Sequence, residues 1–228
     1  MNKLPGLVSF FSALLVAALC GTTRAQAPSP ATQPTSALVQ APLELITHVQ
    51  KQLSTVDNVQ ADFVQIKNLV VLKHKLTIRG SFAMQKPDKV MWNVREPVKY
   101  AIRVEGEEVR QWDEDTNKVQ IIHLGGDPTF KAISQQIQAW FLGNYKELAQ
   151  SYDVYVLGNT PLTLRFVPRG NTMLGKLVSW IEVTFGPDER NIDKMQIHEA
   201  AGDTTVLNFT NTRLNQPIPK QTWEIPPR

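Results

Sequence analysis

Between Leu76 and Gln85 the side chains alternate without a slip. Leu76, Ile78, Gly80, Phe82 and Met84 fall on one parity, and Thr77, Arg79, Ser81, Ala83 and Gln85 on the other. A two-residue period sends successive side chains to opposite faces, so this stretch is a strand with one apolar and one wet face. Such a strand belongs to an antiparallel sheet covered on one side only. The same signature recurs at short intervals. Val59, Ala61 and Phe63 precede it; Val90, Trp92 and Val94 follow the turn Lys86-Pro87-Asp88; Tyr100, Ile102 and Val104 follow Glu96-Pro97. Val109–Trp112 and Val119–His123 continue the meander through the polar turn 113–118. After residue 150 the spacing predicts five more strands, at Val154–Leu157, Leu162–Val167, Leu177–Phe185, Ile192–Glu199 and Thr204–Phe209. Short strands at near-regular spacing are the pattern of a sandwich, a barrel or one curved sheet.

Helical spacing appears in few places. Leu43, Ile46, Val49 and Leu53 recur at helical intervals behind Pro42, a residue tolerated at a first helical position. Phe130, Ile133, Ile137, Trp140 and Phe141 share one side of a second helix that starts at Asp127-Pro128 and stops at Gly143-Asn144. Residues 145–150 suggest a third, shorter one. The prolines at 217, 219, 226 and 227 make the tail extended. The fold class is therefore α+β, with about ten or eleven antiparallel strands and two or three helices.

The first residues read as an export signal. Lys3 is followed by an apolar run from Leu4 to Leu19, and Thr23-Arg24-Ala25 offers small residues for cleavage after Ala25. Residues 1–25 are expected to be removed, which places the mature protein in the periplasm of a Gram-negative envelope. Cys20 follows Leu19 rather than a small residue, a poor fit to a lipid-accepting cysteine, and leaves with the signal. The mature chain then has no disulfide. Cleavage also removes two of the 24 Lys and Arg, leaving 22 against 21 acids. The basic excess nearly vanishes, which argues against nucleic acid. Residues 26–41, rich in Ala, Pro, Thr, Ser and Gln, read as a flexible linker. Residues 42–228 are expected to form one domain.

Catalytic signatures are missing. His48, His74, His123 and His198 sit in no zinc-binding spacing, and Gly125-Gly126 is a turn rather than a phosphate cradle. The carboxylates at Glu105, Glu107 and Glu108, and at Asp113, Glu114 and Asp115, fall in turns where water keeps them ionised. Asp188-Glu189-Arg190 is a hairpin tip. No catalytic residue, metal or cofactor is expected. Lys67, Lys73, His74, Lys75 and Arg79 read as a solvated loop, or as a docking surface for an anionic membrane or partner.

The apolar sheet face is large for so few helices. It carries Ile78, Phe82, Met84, Val90, Trp92, Ile102 and Val104 in the first half, and Phe166, Ile181, Val183 and Phe185 in the second. Either side chains fill the interior or it stays hollow. A hollow one would suit hydrocarbon, at about 0.8 kcal/mol per buried CH₂. Together with Phe130, Ile133, Ile137, Trp140 and Phe141, these residues are the candidate lipid-binding set.

Three segments carry a family likeness: VDNVQADFVQ from Val56, GSFAMQKPDKVMWNVREPVKYAIRVEGEEVRQWDEDTNKV from Gly80, and TWEIPP from Thr222. Over Val56–Pro227 the chain resembles the LolA-type outer-membrane lipoprotein carriers. The resemblance implies a single curved antiparallel sheet forming an unclosed β-barrel, with helices capping an apolar cavity. It also implies a monomeric shuttle that takes acylated lipoproteins from an inner-membrane transporter to an outer-membrane receptor. Lys86 stands where the family has arginine, and with Pro87 it occupies the position expected for gating or partner docking. The stretches FVQIKNLVVLKHKLTIRGSF and EAAGDTTVLNF are closer to a related subgroup that handles other envelope amphiphiles, such as glycolipid or pigment conjugates. A lipid-sensing regulatory domain is the remaining alternative on this fold.

Overall fold

The computed structural model describes residues 38–71, 74–123, 139–141, 143–170 and 173–225. Twelve strands among these residues form one sheet. The first half contains β1 (Val39–Gln40), β2 (Asn58–Asn68), β3 (Leu76–Gln85), β4 (Lys89–Glu96), β5 (Tyr100–Glu105), β6 (Glu108–Asp113) and β7 (Lys118–His123). The second contains β8 (Tyr152–Asn159), β9 (Leu162–Pro168), β10 (Val178–Phe185), β11 (Ile192–Glu199) and β12 (Thr204–Leu214). Their spatial order is β1-β8-β9-β10-β11-β12-β2-β3-β4-β5-β6-β7. Every neighbouring pair in this order is antiparallel, so two meanders are joined where β12 lies against β2. The order begins at β1 and ends at β7 without returning. The sheet is unclosed.

Alternation decides which face is covered. From β2 to β6 one parity is buried: Phe63, Phe82, Trp92, Ile102 and Val109. The second meander contributes Leu164, Phe166, Ile181, Val183, Met195 and Leu207 to the same cluster. Three helices are described: α1 (Leu43–Ser54), α2 (Tyr145–Ser151) and α3 (Met173–Leu177), with residues 139–141 also helical. Helix α1 buries Ile46, Val49 and Leu53, as its spacing predicts, but Leu43 is 66% exposed and lies off that stripe. Pro42 is the cap of α1 rather than its first residue.

Four expectations need correction. The strand count is twelve rather than ten or eleven. The extra strand is β1, where Val39 pairs with Val156 and Gln40 with Tyr155, so sheet pairing begins inside the stretch read as linker. Residues 173–177 form a helical turn, and the strand expected from Leu177 starts at Val178. The outer face is also not wet throughout. Ala83, Met91 and Ala101 are buried there beneath Trp223, which sits in a short 3₁₀ turn (Lys220–Trp223). Arg103 Nη1 donates to the Trp223 carbonyl at 3.0 Å, and Lys89 Nζ lies 4.9 Å from its ring. The tail is thus a strap across β3–β6. Residues 1–37, with the signal sequence and most of the linker, lie outside the described residues.

Candidate functional site

Residues 139–141 place two aromatic rings in different halves of the interior. Trp140 meets Phe166 edge-on at 4.8 Å and Tyr152 at 5.7 Å, against the second meander. Phe141 lies 4.7 Å from Phe82 and 5.7 Å from Phe209, where the two meanders join. The segment ends at Gly143, whose φ of +86° is a conformation that favours glycine. The Asn144 N–H donates to the Ala139 carbonyl at 3.1 Å, a six-to-one bond that closes a helix C-terminus. A Cβ on Gly143 would also come within 2.8 Å of the Leu53 Cβ on α1. One glycine therefore lets the chain reverse and lets α1 approach.

Helix α1 is tied to its surroundings mainly near its C-terminus. Gln50 Oε1 accepts the Lys146 N–H at 3.0 Å, supplying an N-terminal partner to α2 where its own cap, Asn144, makes no side-chain bond. Lys86 Nζ donates to the Ser54 carbonyl at 2.8 Å, and the Lys86 N–H to the Asp57 carbonyl at 2.8 Å. Arg190 Nε, in the β10–β11 turn, donates to Thr55 Oγ1 at 3.1 Å, and His48 Nε2 lies 3.0 Å from Glu189 Oε2. Asn215 accepts the Asp57 N–H at 2.7 Å and donates to the Thr55 carbonyl at 2.9 Å. A cleft at this end of the sheet is lined by Leu53, Val56, Val59, Ala61, Phe82, Phe141 and Phe209, with Arg190, Asn191, Ile192 and Thr212.

The cleft is small. Its empty interior is about 20 Å³, enough for a water but far below the several hundred Å³ of ordinary ligand pockets. Every candidate cavity residue whose position is described, from Ile78 to Phe185, lies in one buried cluster. Of them, only Phe82 and Phe141 border the cleft. The others lie in the same buried apolar cluster of described residues, away from this cleft. Phe130, Ile133 and Ile137 lie outside the described residues. Sequence patterning missed Arg190 as a cleft residue bonded to Thr55, because partners 135 positions apart leave no local signal.

Three of the carboxylates singled out in the turns are paired with basic side chains. Glu105 is hydrogen-bonded to Lys89 at 2.9 Å, which holds its carboxyl below the usual range, and Arg103 stands nearby. Arg110 does the same for Glu108, and Lys99 for Glu114. A general acid needs the opposite shift. Burial pushes Glu199 up, the Lys67 ammonium pulls it back, and the Asp203 carboxylate adds to the rise. Among the described residues no helix is long and apolar enough to cross a membrane.

The model of the family described as outer membrane lipoprotein carrier protein LolA matches residues 54–226. The chain belongs to the LolA family. The outer-membrane lipoprotein carrier protein of Cupriavidus taiwanensis is 26% identical over 155 residues, covering 62% of this chain and 63% of that protein. The matched part therefore spans less than two thirds of that relative. The protein of the same name from Hahella chejuensis is 24% identical over 181 residues, 76% of this chain and 81% of its own. Among solved structures, an uncharacterized conserved protein from Thermus thermophilus is 11% identical, with a TM-score of 0.50, over 81% of this chain and 93% of that one. That likeness concerns the fold. For this LolA-family chain it agrees with the open antiparallel sheet described above.

Proposed function

We propose that this chain is a periplasmic carrier that takes the acyl chains of lipoproteins into its open sheet. In this reading it moves them from an inner-membrane transporter to an outer-membrane receptor, with no reaction of its own. Family membership supports the class of cargo. The observation that carries the reading is the role of Phe141, which plugs the cleft beneath α1 although it belongs to a helix and not to the sheet. A plug on a separate element can leave without unzipping any strand pair.

The magnitudes fit a cargo-driven opening. Exposing side chains such as Leu53, Phe82 and Phe141 costs about 1.5–3 kcal/mol each. An acyl chain of roughly fourteen carbons recovers on the order of 10 kcal/mol when buried. An empty, open interior is therefore disfavoured, and an occupied one is not. Native mass spectrometry of protein taken from the periplasm tests the reading. Co-purified acylated species are expected, and a bare polypeptide mass from fresh, detergent-free extracts would contradict it.

A further inference from the structure

Two buried polar side chains on the inward face of the sheet have no hydrogen-bond partner, on strands that also bring Lys67 opposite Thr205. Gln65, on β2, is fully buried, and neither its Oε1 nor its Nε2 makes a hydrogen bond. Thr205, on β12, is 1% exposed, and its Oγ1 is likewise unpartnered. Gln65 lies opposite Leu207 and Thr205 opposite Lys67, so the two are diagonal neighbours on one face, about 7–8 Å apart. Across the adjoining strands stand Ile78 beside Gln65 and Ile197 beside Thr205, both in the main apolar cluster.

An unmade hydrogen bond in such a place carries the whole desolvation penalty of the group. Leucine and valine would fill the same space without it. Gln65 brings two donors and an acceptor, and Thr205 adds a donor. Their position also suits a ligand that enters at the cleft. Ala61 borders that cleft on the same face of β2, and four residues of strand put Gln65 about 13 Å further in.

We propose that Gln65 and Thr205 form a polar subsite inside the sheet that hydrogen-bonds the carbonyl of an amide or ester linkage on an acyl cargo. The inference rests on the carrier reading and adds to it a preference for linked acyl groups over plain hydrocarbon. Gln65 donates to the carbonyl oxygen through Nε2, and where the linkage is an amide its N–H finds Gln65 Oε1. Thr205 supplies the second donor. The closed state leaves these groups unbonded, and cargo completes them.

Two pyrene-labelled probes of equal chain length test this on the full chain: 1-pyrenyldodecane and an N-(pyrenyldodecanoyl)glycinamide. The wild type is expected to favour the amide probe at least tenfold. Gln65→Leu with Thr205→Val is expected to remove that preference while binding the hydrocarbon at least as well. An unchanged ratio in the double variant overturns the inference. Infrared spectroscopy of a ¹³C-carbonyl amide probe gives a second measure on the wild type. Its stretch should fall to lower frequency than in alkane, and should return in the double variant Gln65→Leu with Thr205→Val. A stretch that is unshifted, or one that stays shifted in the variant, places the carbonyl elsewhere or on water and overturns the inference, leaving the carrier reading intact. Failure of the wild type to bind either probe overturns both.

Discussion

Trp92 stacks on Phe63 with ring centroids 4.0 Å apart and planes 26° from parallel, across a strand that has a glycine between them. That glycine is Gly80, paired with Phe63 on β2 and with Val94 on β4. A Cβ there would lie 2.1 Å from the Asn93 carbonyl oxygen and 2.6 Å from the Phe63 ring. The first contact is with backbone and cannot be relieved by a rotamer change. Gly80→Ala is therefore expected to cost at least about 2 kcal/mol through overpacking. Urea unfolding of the two proteins measures it, and equal midpoints would show that the stack has more slack than its geometry implies.

The bond from Lys146 N–H to Gln50 links α1 to α2 by a cap donated from another helix. Gln50→Ala should destabilise by about 1 kcal/mol, the usual cost of a lost N-terminal cap. Gln50→Glu should restore most of it, since a carboxylate also accepts and suits a helix N-terminus. Equal losses for both variants would mean that the bond is incidental.

Asn215 combines a left-handed backbone, φ 54°, with side-chain bonds that hold the α1–β2 connection. Glycine keeps the backbone and loses the bonds; alanine loses both. The expected order of thermal stability is wild type, then Asn215→Gly, then Asn215→Ala. A glycine variant as unstable as the alanine variant would assign the whole effect to the side chain.

Asp62 should set part of the acid sensitivity. Asn211 Nδ2 donates to it at 2.9 Å and Arg95 Nη2 at 2.8 Å, and these hold its carboxyl below the ordinary value of 3.8. A depressed native pKa contributes stability above the unfolded value and loses it as pH falls through the native one. Stability of the wild type should thus fall more steeply than that of Asp62→Asn below about pH 4. Parallel curves for the two proteins would remove Asp62 from the account.

Ala61 is the smallest side chain facing the cleft. Ala61→Leu should fill it and weaken binding of a fluorescent fatty acid at least tenfold, with the circular dichroism unchanged. Undiminished binding by the folded variant would locate the acyl site elsewhere.

Much of the sheet was legible because burial on one face imposes alternation, as in Leu76–Gln85, where the inward residues Ile78, Phe82 and Met84 are all buried. Helix α1 was legible for the analogous reason at a period of 3.6. Strand β1 was not, because two residues in a Pro- and Thr-rich segment carry no periodicity and are held by pairing with β8 alone. The patch under Trp223 was hidden because Ala83, Met91 and Ala101 lie on three strands whose wet parity looked ordinary one strand at a time. Gln65 shows the limit most sharply. Its parity puts it inside, but polarity in a single strand does not reveal whether a partner waits across the sheet. Whether the interior is filled depends on how α1 and residues 139–141 sit in it, a tertiary property with no local trace.

The central claim is that an acyl chain enters where Phe141 now plugs the cleft. Photo-crosslinking with a palmitate bearing a diazirine near its methyl end, followed by peptide mass mapping, reads this most directly. The account predicts label on Leu53, Ala61, Phe82, Phe141 or Phe209. Label confined to the outer face around Trp223, or none above the level seen with denatured protein, would contradict it.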